Sequence, residues 1–204
     1  MAESNAIARS PIAPAPPVAI ESGWEISSRR STAALRITDC TPLTKILVLA
    51  PGGRPFDVPF GRAAHGEEGV LIVGSGPDEW TLLGAPGAGG RLSERAAAAL
   101  GEAPGALFDV THGRAAMRIT GSEADDLLAK VCAIDLAEEI TPDKAAFRSS
   151  VAKVVADVVR DDQSGQRSYL LHCDRAVGGY LFDALLDAGA EFHIEVDGFA
   201  GFKI

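Results

Sequence analysis

No apolar run in this sequence approaches the roughly 18 residues that a membrane-spanning helix requires, so no transmembrane segment is expected. No continuous apolar stretch follows the amino terminus, and a secretory leader is not expected either. Cysteine is scarce. Cys40, Cys132 and Cys173 are odd in number, widely spaced and set in apolar surroundings, which reads as reduced, buried thiols of a cytoplasmic protein. Positive charge is also short: Lys plus Arg is 19 against 28 Asp plus Glu, a formal charge of −9. With no clustered basic stripe, nucleic acid and anionic membranes are poor partners.

The motifs of common active sites are missing as well. His65, His112, His172 and His193 are scattered, without H-E-x-x-H or C-x-x-C, so no metal-ligand set is expected. His172 and Cys173 adjoin on a strand and point to opposite faces. Ser75 lacks the glycines of a nucleophile elbow, since Val73 and Pro77 stand in their places. The stretch LIVGSGPDEWTLLG offers Gly74 and Gly76 but has Glu79 where a dinucleotide loop needs its third glycine. It reads as a hairpin turning at Pro77-Asp78. GAPGAGGRLS has the glycines of a phosphate loop without the required lysine, and reads as a flexible connection. Asp125–Asp126 and Asp161–Asp162 read as solvated pairs, at a helix start and a hairpin tip.

What the chain does contain is a folded body. Residues 1–32, with Pro11, Pro14, Pro16 and Pro17, show no period of 2 or 3.6. They read as a disordered tail, or as an extended arm ordering on a partner through Ile20, Trp24 and Ile26. Residues 33–204 form an α+β body, possibly of two interleaved subdomains. Leu35 and Ile37 alternate with polar neighbours in one strand, TKILVLA reads as a central strand, and 51–69 is a long turn-rich connection. Three ββα units follow. VLIVGSG pairs with EWTLLG before a helix capped by Ser93 and stopped at Gly101. LFDVTH pairs with RAAMRIT before a helix capped by Ser122, with Ala124, Leu127, Leu128 and Val131 as its apolar stripe. SVAKVVADVVR pairs with RSYLLHC before a helix capped by Asp174, with Val177, Leu181, Leu185 and Ala188 inward and Gly189 at its end. Repeated ββα segments predict antiparallel sheets with helices packed on one face.

FDVTHGRAAMRITGSEADDLLAKVCAIDL (108–136) resembles the glycine-cleavage T-protein family, through Asp109-Val110-Thr111-His112, Gly121-Ser122-Glu123-Ala124 and Ile134-Asp135-Leu136. Together with VPFGRA, GSGPDEWTLLG and DRAVGGYLFDALLDAGAEF in that order, the chain more closely resembles the gamma subunits of heterotetrameric sarcosine oxidases. The resemblance implies an aminomethyltransferase-like, folate-binding-domain fold. It further implies a complex that oxidatively demethylates sarcosine or a related N-methyl amino acid, with tetrahydrofolate as one-carbon acceptor. The partners so implied are alpha, beta and delta subunits, alpha foremost. NAD and tetrahydrofolate would sit on alpha, FAD and covalent FMN on beta, and zinc on delta.

This chain itself is expected to hold no catalytic, cofactor or metal residue. Where the T-proteins carry a strand acid for folate work, this sequence has Lys153 and a lone Asp157, and no folate-site residue is carried over. The role so implied is structural, in assembly, with 1–32 and 51–69 as contact surfaces. The alternative is a stand-alone folate-binding, aminomethyltransferase-like protein in which Asp157 is the only strand acid to nominate.

Overall fold

The computed structural model describes residues 6–201 of the 204-residue chain. The chain opens with β1 (Ala8–Arg9), β2 (Val18–Glu21) and β3 (Trp24–Ser27), a small sheet in the order β1-β3-β2. β4 (Arg36–Asp39) and β5 (Thr44–Leu49) then diverge into two larger sheets. β6 (Ala63–His65), β7 (Leu71–Gly76) and β8 (Glu79–Gly84) lead through α1 (Gly89–Leu100) to β9 (Ala106–Asp109). With β5 they make a five-stranded antiparallel sheet, β6-β7-β8-β5-β9. β10 (Arg114–Thr120) and α2 (Ala124–Ala129) follow, then β11 (Ala146–Val151), β12 (Val154–Arg160) and β13 (Ser168–Asp174). α3 (Gly178–Gly189) and β14 (Glu195–Asp197) close the chain. The second large sheet runs β11-β12-β13-β10-β4-β14, antiparallel except where β14 lies parallel to β4.

Strand periodicity explains the layering. Ile37, Met117, Ile119, Val158 and Leu171 leave the six-stranded sheet on the side where Leu127, Leu181 and Leu185 of α2 and α3 bury their stripes. Ile46, Val48, Ile72 and Leu82 leave the five-stranded sheet toward Leu92 and Ala96 of α1. The remaining faces meet each other through Leu43, Leu71, Val73 and Leu83 on one side and Ala116, Val159 and Leu170 on the other. Each of the two large sheets therefore carries helices on one face only, as the repeated ββα rhythm predicts.

The amino-terminal segment departs from its expectation. Trp24 and Ile26 enter the core between the sheets and Ile12 the core beneath α3, each under 5% exposed, while Ile20 alone of the three anchors faces solvent. Three large apolar side chains outweigh the local lack of periodicity, so residues 8–27 pack as part of the body instead of forming a separate arm. The amino-terminal five residues of that expectation lie outside the described ones.

Four local expectations also change. LFDVTH and RAAMRIT do not pair with each other: β9 joins β5 and β10 joins β13 and β4, so the turn between them is a crossover from sheet to sheet. SVAKVVADVVR is not one strand: it spans the end of β11, a turn at Ala152 and Lys153 with φ of 47° and 68°, and β12, which pairs with β13 as expected. α1 begins at Gly89 and not at Ser93. The amide of its cap residue Ala88 donates both to the Ala85 carbonyl and, at 3.1 Å, to the Thr44 hydroxyl of β5. α2 likewise has Glu123 at its cap, Ser122 donating to the Glu123 carboxylate instead. Gly101 stops α1 at φ 57°, and the Asp174 carboxylate accepts from Ala176 N–H at 2.8 Å ahead of α3, as their sequence positions predict. No helix of the described residues is long and apolar enough to cross a membrane.

Candidate functional site

The glycine stretch in β7 is a hairpin with a bulge between Gly74 and Gly76. A Cβ on Gly74 would lie 2.2 Å from the Pro59 carbonyl oxygen, so only glycine lets the connecting loop seat against the strand. The Gly61 amide donates to the Gly74 carbonyl, and the Gly74 amide to the Arg62 carbonyl. One turn further, Ala63 and Ala146 amides reach across to Lys144 and Gly61 carbonyls. The loop thereby joins the edges of the two large sheets.

Between those sheets sit two buried carboxylates. Alternation along one extended run turns Asp157, Val159 and Asp161 to the same side, toward the five-stranded sheet. Asp161, a residue expected at a solvated hairpin tip, is fully buried. Its oxygens lie 2.8 Å from Arg118 Nη2, 2.7 Å from Lys144 Nζ and 2.8 Å from His65 Nε2, and Gln163 adds a fourth contact at 2.9 Å. Burial alone would raise this carboxyl, but Arg118 and Lys144 outweigh it and hold it at about 2. Such an acid is a fixed anion near neutrality and a poor proton acceptor. Asp162 is engaged too, by Arg160 at 2.8 Å. Of the other acidic pair, Asp125 meets Arg167 at 2.8 Å and Asp126 is exposed.

Asp157, the strand acid nominated for folate work, is equally committed. Arg148 Nε donates to it at 2.6 Å, and the same guanidinium reaches Glu79 of the opposite sheet at 2.9 Å. Its other oxygen lies 3.5 Å from Nδ1 of buried His172. Among the described residues neither His172 ring nitrogen has a hydrogen-bond partner, and burial pushes the imidazole down to about 4 against the pull of Asp157. The cavity beside Asp157 is about 10 Å3, room for one water at most and none for a pterin ring. The residues do not fit folate at this acid.

The remaining chemistry-bearing residues are spread apart. Lys45 is fully buried in β5, donating to the carbonyls of Thr41 and Leu43 at 2.8 and 2.7 Å, and burial lowers its amine to about 8. His112 stacks on Trp24 with ring centroids 4.9 Å apart. Cys40, Cys132 and Cys173 are separate buried thiols, and among the described residues no three His, Cys, Asp or Glu side chains converge as a metal site. Asp109 Oδ1 accepts from Thr111 N–H at 2.9 Å, and the Thr111 hydroxyl accepts from Lys45 N–H at 3.0 Å. The Asp-Val-Thr-His segment is thus the hinge of the crossover between sheets. The buried acids could have been found in the sequence, because period two couples Asp157 with Asp161 more directly than with neighbouring Asp162. Their partners, supplied by β6, β10, β11, β13 and Lys144 ahead of β11, left no local signal.

Two sheets, antiparallel but for β14 against β4, pack face to face with helices outside, an arrangement shared by solved aminomethyltransferase-like structures. The structure superposes on heterotetrameric sarcosine oxidase from Corynebacterium sp. U-96 in complex with pyrrole 2-carboxylate, with a TM-score of 0.68 and 21% identity over 81% of this chain and 89% of that one. Glycine cleavage system aminomethyltransferase T from Bartonella henselae matches with a TM-score of 0.68 and 14% identity, over 89% of this chain and 55% of that one. The model of the sarcosine oxidase, gamma subunit family matches residues 45–191, and the chain belongs to that family. Sarcosine oxidase subunit gamma of Corynebacterium sp. (strain P-1) is 27% identical over 135 residues, 66% of this chain and 64% of that one. The Arthrobacter sp. protein of the same name is 27% identical over 132 residues, 65% of this chain and 63% of that one. The match therefore spans just under two thirds of the length of these relatives.

Proposed function

We propose that this chain is a non-catalytic assembly subunit of a heterotetrameric sarcosine-oxidase-type complex. The family match over 45–191 carries the reading. The commitment of Asp157 and Asp161 to structural ion pairs supports the non-catalytic part of it. On this reading the complex is cytoplasmic and oxidatively demethylates sarcosine or a related N-methyl amino acid. Its FAD, FMN, NAD, tetrahydrofolate and zinc belong to the alpha, beta and delta subunits.

The contact surface toward the alpha subunit is assigned to the loop between β5 and β6. Phe60 is 62% exposed there, beside a cavity of about 670 Å3 lined also by Arg54, Phe56 and Asp57. An aromatic side chain left in water on a loop fastened at Gly74 is a rigid anchor for a partner. The test is to purify the tagged chain from its native host and identify its companions by mass spectrometry, with a flavin absorbance scan. A yellow complex containing a large dehydrogenase-like subunit is expected. A colourless chain alone, under conditions that preserve weak complexes, would overturn the reading.

A further inference from the structure

The register of β4 against β10 places Arg36 opposite Thr120 and Thr38 opposite Arg118. Ile37 and Ile119 turn to the helix-covered side and are fully buried, so the two arginines and two threonines share the other face. Two residues further along that face the strands reach Cys40 and Ala116, which the five-stranded sheet covers. At the Arg–Thr block this cover has ended. A cavity of about 350 Å3 opens there, bounded by Gln163 and Gln166 on one side and by Asp197 and Phe199 on another, with Arg30 at its rim.

The charges around this cavity do not cancel. Arg118 donates to Asp161, but that single carboxylate also holds Lys144. Asp197 Oδ1 is taken by the amides of Ser31 and Gly198 at 3.0 and 3.1 Å. Among the described residues Arg36 donates only to the Ala33 carbonyl at 2.7 Å and the Gln166 side-chain oxygen at 3.0 Å. Arg30 donates to the Arg29 carbonyl at 2.8 Å. Among the described residues neither guanidinium has a carboxylate partner, although the whole chain carries a formal charge of −9.

We propose that this cavity binds a small oxyanion, a carboxylate or phosphate group, between Arg36 and Arg30 with the Thr38 hydroxyl as a further donor. A guanidinium fork matches either group in two parallel hydrogen bonds, and partial enclosure strengthens them. The volume lies at the low end of the roughly 300–1,000 Å3 of small-molecule sites. The site is built by this chain alone and stands apart from its role in a complex.

The test follows thermal unfolding of the full chain during titration with inorganic phosphate and with succinate, ionic strength being held constant with chloride. A saturable rise in Tm with at least one anion is expected, and the preferred anion tells phosphate from carboxylate. Arg36→Gln and Arg30→Gln should each weaken half-saturation by about tenfold or more, the loss of a charge-assisted pair of bonds. Arg91→Gln, whose guanidinium meets Glu68 at 3.1 Å on α1, should leave the titration unchanged. If Arg36→Gln does not fold, Arg30→Gln at the exposed rim decides. No saturation, or equal responses in the native chain and the folded variants, overturns the site and marks any rise as general salt stabilisation.

Discussion

His65 Nε2 lies 2.8 Å from Asp161 Oδ1, although His65 ends a strand of the five-stranded sheet and Asp161 follows one of the six-stranded sheet. With Arg118 and Lys144 on the same carboxylate, a single buried anion ties together β6, β10 and the chain ahead of β11. Four residues earlier, Asp157 does the same through Arg148 to Glu79 of β8. The apolar contacts of Val159, Leu170, Leu71 and Val73 lie between these two ties. Removing either carboxylate leaves cations in a partly dry seam.

Asp161→Asn is therefore expected to destabilise the fold by about 3–5 kcal/mol, the cost of breaking a buried pair from one side. Asn cannot neutralise Arg118 and Lys144, whichever way its amide turns. Urea denaturation measures the loss; a change below about 1 kcal/mol, the size of an exposed pair, would show that water already screens the site.

Acid should weaken the protein in two stages. The His172 imidazole is held neutral down to about 4, so between its ordinary value of 6.5 and that point the unfolded chain binds a proton that the folded chain does not. Stability consequently falls as pH drops through this window, by about 3 kcal/mol at most. Asp161 adds a second loss below 3.8, as pH falls toward about 2 and its ion pairs are protonated away. Denaturation midpoints across pH 7 to 4 check the first stage, and His172→Leu should flatten that slope.

Truncation at residue 27 should lower Tm and cost several kcal/mol, since burying each large apolar side chain contributes about 1.5–3 kcal/mol. Trp24 and Ile26 leave the core between the sheets and Ile12 leaves the core under α3. An unchanged unfolding curve would mean that these side chains contribute nothing to the isolated fold.

Two glycine substitutions should move stability in opposite directions. A Cβ on Gly178 meets the Ala115 Cβ at 2.4 Å and Pro11 Cγ at 2.9 Å, so Gly178→Ala should cost about 1–3 kcal/mol by overpacking α3 against β10. Gly90 lies in α1 with nothing within 4 Å of its added Cβ, and Gly90→Ala should stabilise by up to about 1 kcal/mol. Paired thermal melts read both.

The sequence makes visible what local periodicity controls. The stripes of α2 and α3, the alternation of Leu35 and Ile37, the stop at Gly101 and the cap at Asp174 all follow from spacing and residue type. The Ala152-Lys153 turn does not, because neither residue advertises the positive φ that the hairpin imposes. The crossover after Asp109 looks like a hairpin because two strands flank a short polar stretch; only their partners in separate sheets say otherwise. The bond of Thr44 to the cap residue of α1, and the gathering of Arg30, Arg36 and Arg118 about one cavity, are long-range facts with no local trace. Trp24 stood out as an anchor, yet the surface it anchors to is this chain's own.

The loop from residue 51 to 62 is fastened to the sheets where its own backbone meets the backbones of Gly74 and Ala146. Its path is consequently independent of most of the side chains that it displays. Arg54, Asp57 and Phe60 can be exchanged for others while the loop keeps its course, so the face can be retuned to a new neighbour without renegotiating the fold. A separation of that kind keeps the course of the backbone apart from the chemistry of the surface it presents.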